Sequence, residues 1–109
     1  MRRVGNDVVD LEDPQIALAH LRPRFVERVC APSERELLAA SGAPKVLLWS
    51  LFAAKEAGFK ALSKDGPLVF AHRRFVVTAD LRSLSYEGQV LWLRVEVEGW
   101  LTEVPMIAQ

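Results

Sequence analysis

The sequence predicts an α+β fold in which helices pack on an antiparallel β-sheet. Three observations carry this expectation: a long helical apolar pattern in mid-chain, a short β-branched run ahead of it, and a change from helical to alternating periodicity after Pro67. At 109 residues the chain is expected to form one domain, residues 1–109. A domain of this size builds a real core but buries only about two-thirds of its unfolded surface, so a partner surface would help it.

Arg3 to Leu11, RVGNDVVDL, reads as the first strand, with polar residues at Asn6, Asp7 and Asp10. Asp13-Pro14 has the N-cap and first-turn chemistry of a helix whose apolar side is Ile16, Leu18 and Leu21, and Pro23 closes it. Arg24 to Val29 adds another turn or two, with Phe25, Val26 and Val29 inward. Ser33 with Glu36 reads as a capping box for a helix that Gly42 ends. Pro44 opens the long helix, expected to run to about Ser63 because Lys64-Asp65-Gly66-Pro67 is a turn with two helix breakers.

Beyond Pro67 a strand is expected around Arg74 to Thr78. Another covers Val90 to Glu98, where Leu91, Leu93, Val95 and Val97 alternate with Trp92, Arg94, Glu96 and Glu98. Tyr86-Glu87-Gly88-Gln89 and Glu98-Gly99 have turn chemistry. Trp100 to Ala108 is the last expected strand, which Pro105 marks as an edge or an irregular end. The order is strand, three or four helices, then a three-stranded meander.

Lys plus Arg and Asp plus Glu balance at 14 each, so no global field draws the chain to nucleic acid or to an anionic membrane. Cys30 is the single cysteine, which excludes an internal disulfide and a cysteine-built metal site and fits a reducing compartment. No apolar run approaches the length of a membrane span and no N-terminal stretch resembles a signal peptide, so a soluble, cytoplasmic protein is expected. Arg22, Arg24 and Arg28, with His20 nearby, read either as a solvated face or as the contact for an acidic partner. No Gly-rich phosphate loop, HExxH, CxxC or GxSxG is present. His72 is expected to be exposed or internally satisfied, Trp92 and Trp100 to be core or interface aromatics, and Trp49 to pack in the core.

The long helix carries the chemistry. WSLFAAKEAGFKAL, residues 49–62, sets Lys55, Glu56 and Lys60 inside an apolar stripe of Leu48, Leu51, Phe52, Phe59 and Leu62. Glu56 and Lys60 leave one helix face a turn apart; taken alone they are a solvated pair worth about 0.2–0.5 kcal/mol. Asp7 opens a second reading. If the first strand lies against the helix, Asp7 and Glu56 are two carboxylates that, with water and phosphate oxygens, would hold Mg²⁺. Lys55 and Lys60 would then neutralise phosphate oxygens. Spacing leaves both readings open.

GNDVVDL at 5–11 and FAAKEAGFKAL at 52–62, in this order, resemble the paired motifs of the 4′-phosphopantetheinyl transferase superfamily. Residues 24–38, RFVERV and the helix after it, look like the intervening region of its short holo-acyl-carrier-protein synthase branch, and the resemblance covers about residues 3–66. It implies that Asp7 and Glu56 bind Mg²⁺, that Lys55 and Lys60 contact coenzyme A phosphates, and that Glu56 and Lys60 act in catalysis. It also implies a reaction. The serine hydroxyl of an apo acyl or peptidyl carrier protein attacks the pantetheine-side phosphate of coenzyme A, 3′,5′-ADP leaves, and Glu56 or a metal-bound water takes the proton. Arg22, Arg24 and Arg28 would meet the carrier protein's acidic helix. Val9 is apolar, as in the short branch, which is a homotrimer with active sites between subunits, so a homo-oligomer, with a trimer favoured, is implied.

Two departures stand out. Leu51 occupies a position where the short branch usually has arginine, and LWLRVEVEGWLTEVPMIAQ contains no histidine. They motivate an alternative, a catalytically weakened module of the same fold that binds coenzyme A or a carrier protein without turnover. A structural subunit whose charges are all solvated is a third reading.

Overall fold

The structure, a computed structural model, describes residues 4–68, 70–95 and 103–108. Strand β1 (Gly5–Asp10) opens it. The helix expected from Asp13-Pro14 does not form. The Asp13 carboxylate instead accepts from Gln15 N at 2.9 Å, a turn closed on itself, and the chain proceeds by turns to a 3₁₀ turn at Ala19–Leu21. The Ile16 carbonyl, which a helix would use one turn on, accepts from Ala19 N and from the Trp49 indole N–H, both at 3.3 Å.

Helices α1 (Pro23–Val29), α2 (Pro32–Ala40) and α3 (Pro44–Leu62) each begin with proline, where the missing N–H has no helical partner to lose. Pro23 therefore opens a helix rather than closing one. α2 starts ahead of the Ser33/Glu36 box, and the side chain that reaches back is Glu34, whose Oε1 accepts from Ala31 N at 2.7 Å. α3 has nearly the expected bounds. Among the described residues no helix is long and apolar enough to cross a membrane.

Strands β2 (Val76–Val77), β3 (Ser83–Tyr86), β4 (Gln89–Val95) and β5 (Glu103–Ala108) join β1 in an antiparallel sheet of order β1-β5-β4-β3-β2. β3 adds a strand to the expected meander. It ends in a two-residue hairpin that pairs Tyr86 with Gln89 through Glu87 (φ 47°) and Gly88 (φ 82°), the positive pair that such a turn requires. β4 alternates as expected, with Leu91 buried and Trp92 65% exposed. Glu96 to Trp100 lie outside the described residues. β5 is not an edge: it pairs with β1 from Glu103↔Asp10 to Ala108↔Gly5, and with β4 from Val95↔Met106 to Leu93↔Ala108. Pro105 lies just past the last described β4 pair.

α3 packs across β1 and β5, and Leu48, Leu51, Ala53, Ala54, Ala57 and Ala61 are buried in one core with Phe75, Leu84 of β3 and Leu91 of β4. The strand comes so close that a Cβ on Gly5 would lie 2.1 Å from Ala57 O and 2.5 Å from Ala61 N. Both obstacles are helix backbone, which cannot turn aside. Gly5→Ala is therefore expected to lower stability by about 1–3 kcal/mol, the usual cost of overpacking. Urea denaturation measures it, and an unchanged midpoint would contradict the close approach.

Candidate functional site

The three charges of α3 point to different places. Lys55 is fully buried; its ammonium donates to Val29 O at 2.6 Å and to Glu34 Oε1 at 2.5 Å. Glu34 is equally buried and also accepts from Val77 N at 2.8 Å through Oε2. Lys55 thus faces the interior, not the solvent-facing phosphate position that the resemblance suggests. The physical reason is angular: adjacent helical residues project about 100° apart, so Lys55 shares the buried stripe of Leu51 and Leu62 rather than the face of Glu56. Burial pulls the Lys55 ammonium below its ordinary pKa while Glu34 opposes that pull. Burial likewise pushes the neighbouring Cys30 thiol up to about 11, so it is unreactive as a thiolate.

Lys60 faces the other way. Its ammonium donates to Asp7 Oδ1 at 2.9 Å and to Asn6 O at 3.1 Å, and its side chain is 50% exposed. The condition that β1 lies against α3 is met, with Gly5 making the approach possible. Glu56, one turn earlier on the same face, has its Oε1 3.2 Å from His72 Nε2. Asp7 and Glu56 are thus each paired with a nitrogen donor, and neither contact is between the two carboxylates. Burial lowers the His72 pKa from its ordinary value, with the Glu56 hydrogen bond opposing. His72 stacks on Phe52 (centroids 5.0 Å apart) and leans on Phe70 (4.1 Å). It is satisfied, one of the two outcomes expected, but its partner is a candidate site residue. The available signal was Phe70 and His72 two apart before a strand, a spacing that puts both rings on one side of an extended chain.

Arg22 is the N-cap residue of α1, and Arg24 and Arg28 follow one turn apart on that helix; all three are exposed. Arg24 and Arg28 line a hollow of about 520 Å³ with Glu27, Phe70, His72 and Arg73. Arg73 is a basic residue of this hollow that the sequence did not single out. Leu51 is fully buried, so the position where an arginine was expected belongs to the core. Trp49 is core too, edge-on to Phe52 at 4.9 Å.

Among the described residues no group of three metal-ligating side chains occurs. The available donors, Asp7 and Glu56, are hard oxygens. Such a pair suits an ion that keeps most of its own water and takes further oxygens from a phosphate substrate, as Mg²⁺ does. The donor set fits that ion, provided that Lys60 and His72 yield or share the carboxylates.

A strand held against one long helix by a glycine, with an aspartate answering that helix's lysine, is the arrangement of a recognisable class. The chain belongs to the 4′-phosphopantetheinyl transferase superfamily, whose pattern matches residues 3–94. More particularly, it is 46% identical over 59 residues to the holo-[acyl-carrier-protein] synthase of Aromatoleum aromaticum, covering 54% of this chain and 47% of that protein. With the Solidesulfovibrio magneticus enzyme of the same name the identity is 42% over 62 residues, 57% of this chain and 49% of the other. The chain spans about half the length of the curated relatives it matches. The fold is shared over a greater span. The holo-[acyl-carrier-protein] synthase structure from Neisseria meningitidis superposes with a TM-score of 0.73 at 21% identity, covering 98% of this chain and 97% of that one. The Helicobacter pylori structure, in complex with coenzyme A, gives 0.69 at 17%, with 96% of each covered.

The buried pair has a measurable consequence. Lys55→Met leaves the Glu34 charge buried without its cation and is expected to cost about 3–5 kcal/mol. The double variant Lys55→Met/Glu34→Gln removes both charges and should recover part of the loss. Urea midpoints report both, and a loss under about 1 kcal/mol for Lys55→Met, as for an exposed pair, would refute the buried placement.

Proposed function

We propose that the chain transfers the 4′-phosphopantetheine group of coenzyme A to a serine of an apo acyl or peptidyl carrier protein, releasing 3′,5′-ADP. The observation that carries the reading is the Lys60–Asp7 contact at 2.9 Å, which joins the two family motifs at the turn of α3 next to Glu56. A lysine ammonium has three donors, and two go to Asp7 and Asn6 O. The third, on a half-exposed side chain, is free to meet a phosphate oxygen and to stabilise the charge that grows as the phosphorus–oxygen bond breaks. Glu56 accepts the serine proton, directly or through a water it orients. Asp7 and Glu56 would hold Mg²⁺, which when bound offsets the charge of the pyrophosphate. Lys55 serves this reading as the anchor of α3, with Lys60 as the phosphate contact. Arg22, Arg24 and Arg28 would receive the acidic helix of the carrier protein, acting mainly on association rate and its salt dependence.

Transfer is watched by the mass added to an apo acyl carrier protein given coenzyme A and Mg²⁺. Wild type should add one phosphopantetheine, and Asp7→Ala and Lys60→Met should each lose about 10²–10³-fold in kcat, the range for removing a charge-stabilising group. Coenzyme A binding by calorimetry without transfer would instead support a binding module, and absence of both would overturn the proposal.

The chain is also proposed to work as a homo-oligomer, with a trimer favoured. Supporting this, Val8 (56% exposed), Val90 (57%) and Trp92 (65%) lie bare on the sheet. The register through Asn6, Ile107 and Arg94 sets Val8 and Trp92 on one face. Light scattering should give three times the chain mass, and Trp92→Glu should lower it; a wild-type monomer at micromolar concentration would end this part of the reading.

A further inference from the structure

We propose that His72 is a positioning residue for Glu56: a ring packed against two aromatic side chains donates the hydrogen bond that fixes how the Glu56 carboxylate is presented. This rests on the reading of Glu56 given above. A carboxylate accepts only, so the 3.2 Å contact runs from His72 Nε2–H to Glu56 Oε1. The two side chains are only 22% and 25% exposed, so the bond is neither freely solvated nor part of the dry core.

The donor cannot easily drift. One face of the imidazole lies on Phe52 with planes 22° apart, and the ring also contacts Phe70 at 4.1 Å. Phe70 is itself held, stacked on Phe59 at 4.5 Å with planes 8° apart and edge-on to Phe75 at 5.5 Å. Phe52 sits one turn before Glu56 on α3, so one helix face supplies both the platform under the ring and the carboxylate that the ring holds. A glutamate is flexible and would otherwise lose rotamer freedom on engaging a ligand; a rigid donor takes that loss in advance. The arrangement borders open space. His72 lines the hollow of about 520 Å³ that Arg24, Arg28 and Arg73 surround, so the group it holds stands beside a place a ligand can enter.

The test separates the ring from its N–H. His72→Phe keeps the aromatic stack and removes the donor, whereas His72→Gln carries an amide N–H that reaches to the same place without the ring. With coenzyme A present, Mn²⁺ or Mg²⁺ titrated by calorimetry should bind about 10–100-fold more weakly to His72→Phe, the usual range for losing a group that orients a metal ligand. The kcat should fall by a similar factor while the carrier-protein KM stays near the wild-type value. His72→Gln should recover most of both. If His72→Phe fails to fold, His72→Asn, whose amide is too short to reach Glu56, takes its place in the comparison. Ion affinity and kcat equal to wild type in the donor-free variant would overturn the inference alone. A wild-type protein that neither binds the ion nor transfers phosphopantetheine would overturn the function proposed above, and this inference with it.

Discussion

The buried carboxylate of Glu34 is the contact on which the rest of the architecture hangs. It accepts from Ala31 N at the start of α2, from the Lys55 ammonium in the middle of α3, and from Val77 N on the last strand of the sheet. Lys55 in turn donates to Val29 O at the end of α1, where a cation complements the exposed carbonyls of a helix terminus. Taking both charges out of water costs several kcal/mol each, and the hydrogen bonds around them offset that cost only in one geometry. Apolar side chains could pack here in several ways. The ion pair, bonded to Val29 O and Val77 N as well, is satisfied with α3 in the rotation observed. That rotation decides which residues face β1 and the aromatic cluster.

Polar contacts also cap parts of the two outer strands. On the β1 side Asn6 O is taken by Lys60, Val4 O by Lys64, and Asp10 O by Asp13 N at 3.2 Å. On the β2 side the outward N–H of Val77 is taken by Glu34. A sheet with open sides is a template for other strands, and charged groups bonded to its backbone remove the template. Lys60 bonds the strand backbone and Asp7 while half its side chain remains open to solvent.

How much of this could be read from the sequence depends on how local the cause is. α3 was legible because a strong helical period, a proline start and a Gly-Pro stop all agreed. The lie of β1 on α3 was legible as a condition, and Gly5 ahead of the β-branched run was the residue that met it. Lys55 could have been placed correctly from its spacing to Leu48, Leu51 and Leu62, but the motif pulled attention to its neighbour Glu56, which points elsewhere. The segment after Asp13 carried good helix-start chemistry and still became turns, since side-chain bonds to nearby backbone compete with a helix that has little to bury. β3 is four residues with two serines, too short for alternation to declare it. The central place of β5 and the partner of His72 are pairings across distance, and no window of sequence contains them.

The order of strands also bears on how the chain is assembled. Among the described residues β1 hydrogen-bonds to no strand but β5, pairing Gly5 with Ala108, so the earliest strand to be made waits for one of the latest. During synthesis β1 has only the groove of α3 to rest in. Such a long closure is slow and leaves apolar surface open meanwhile. Lys60 on α3 and Lys64 in the turn just past its end bond the carbonyls of Asn6 and Val4, contacts at β1 that do not involve β5. Lys60 and Lys64 thus tie β1 to the helical side of the molecule independently of its strand partner.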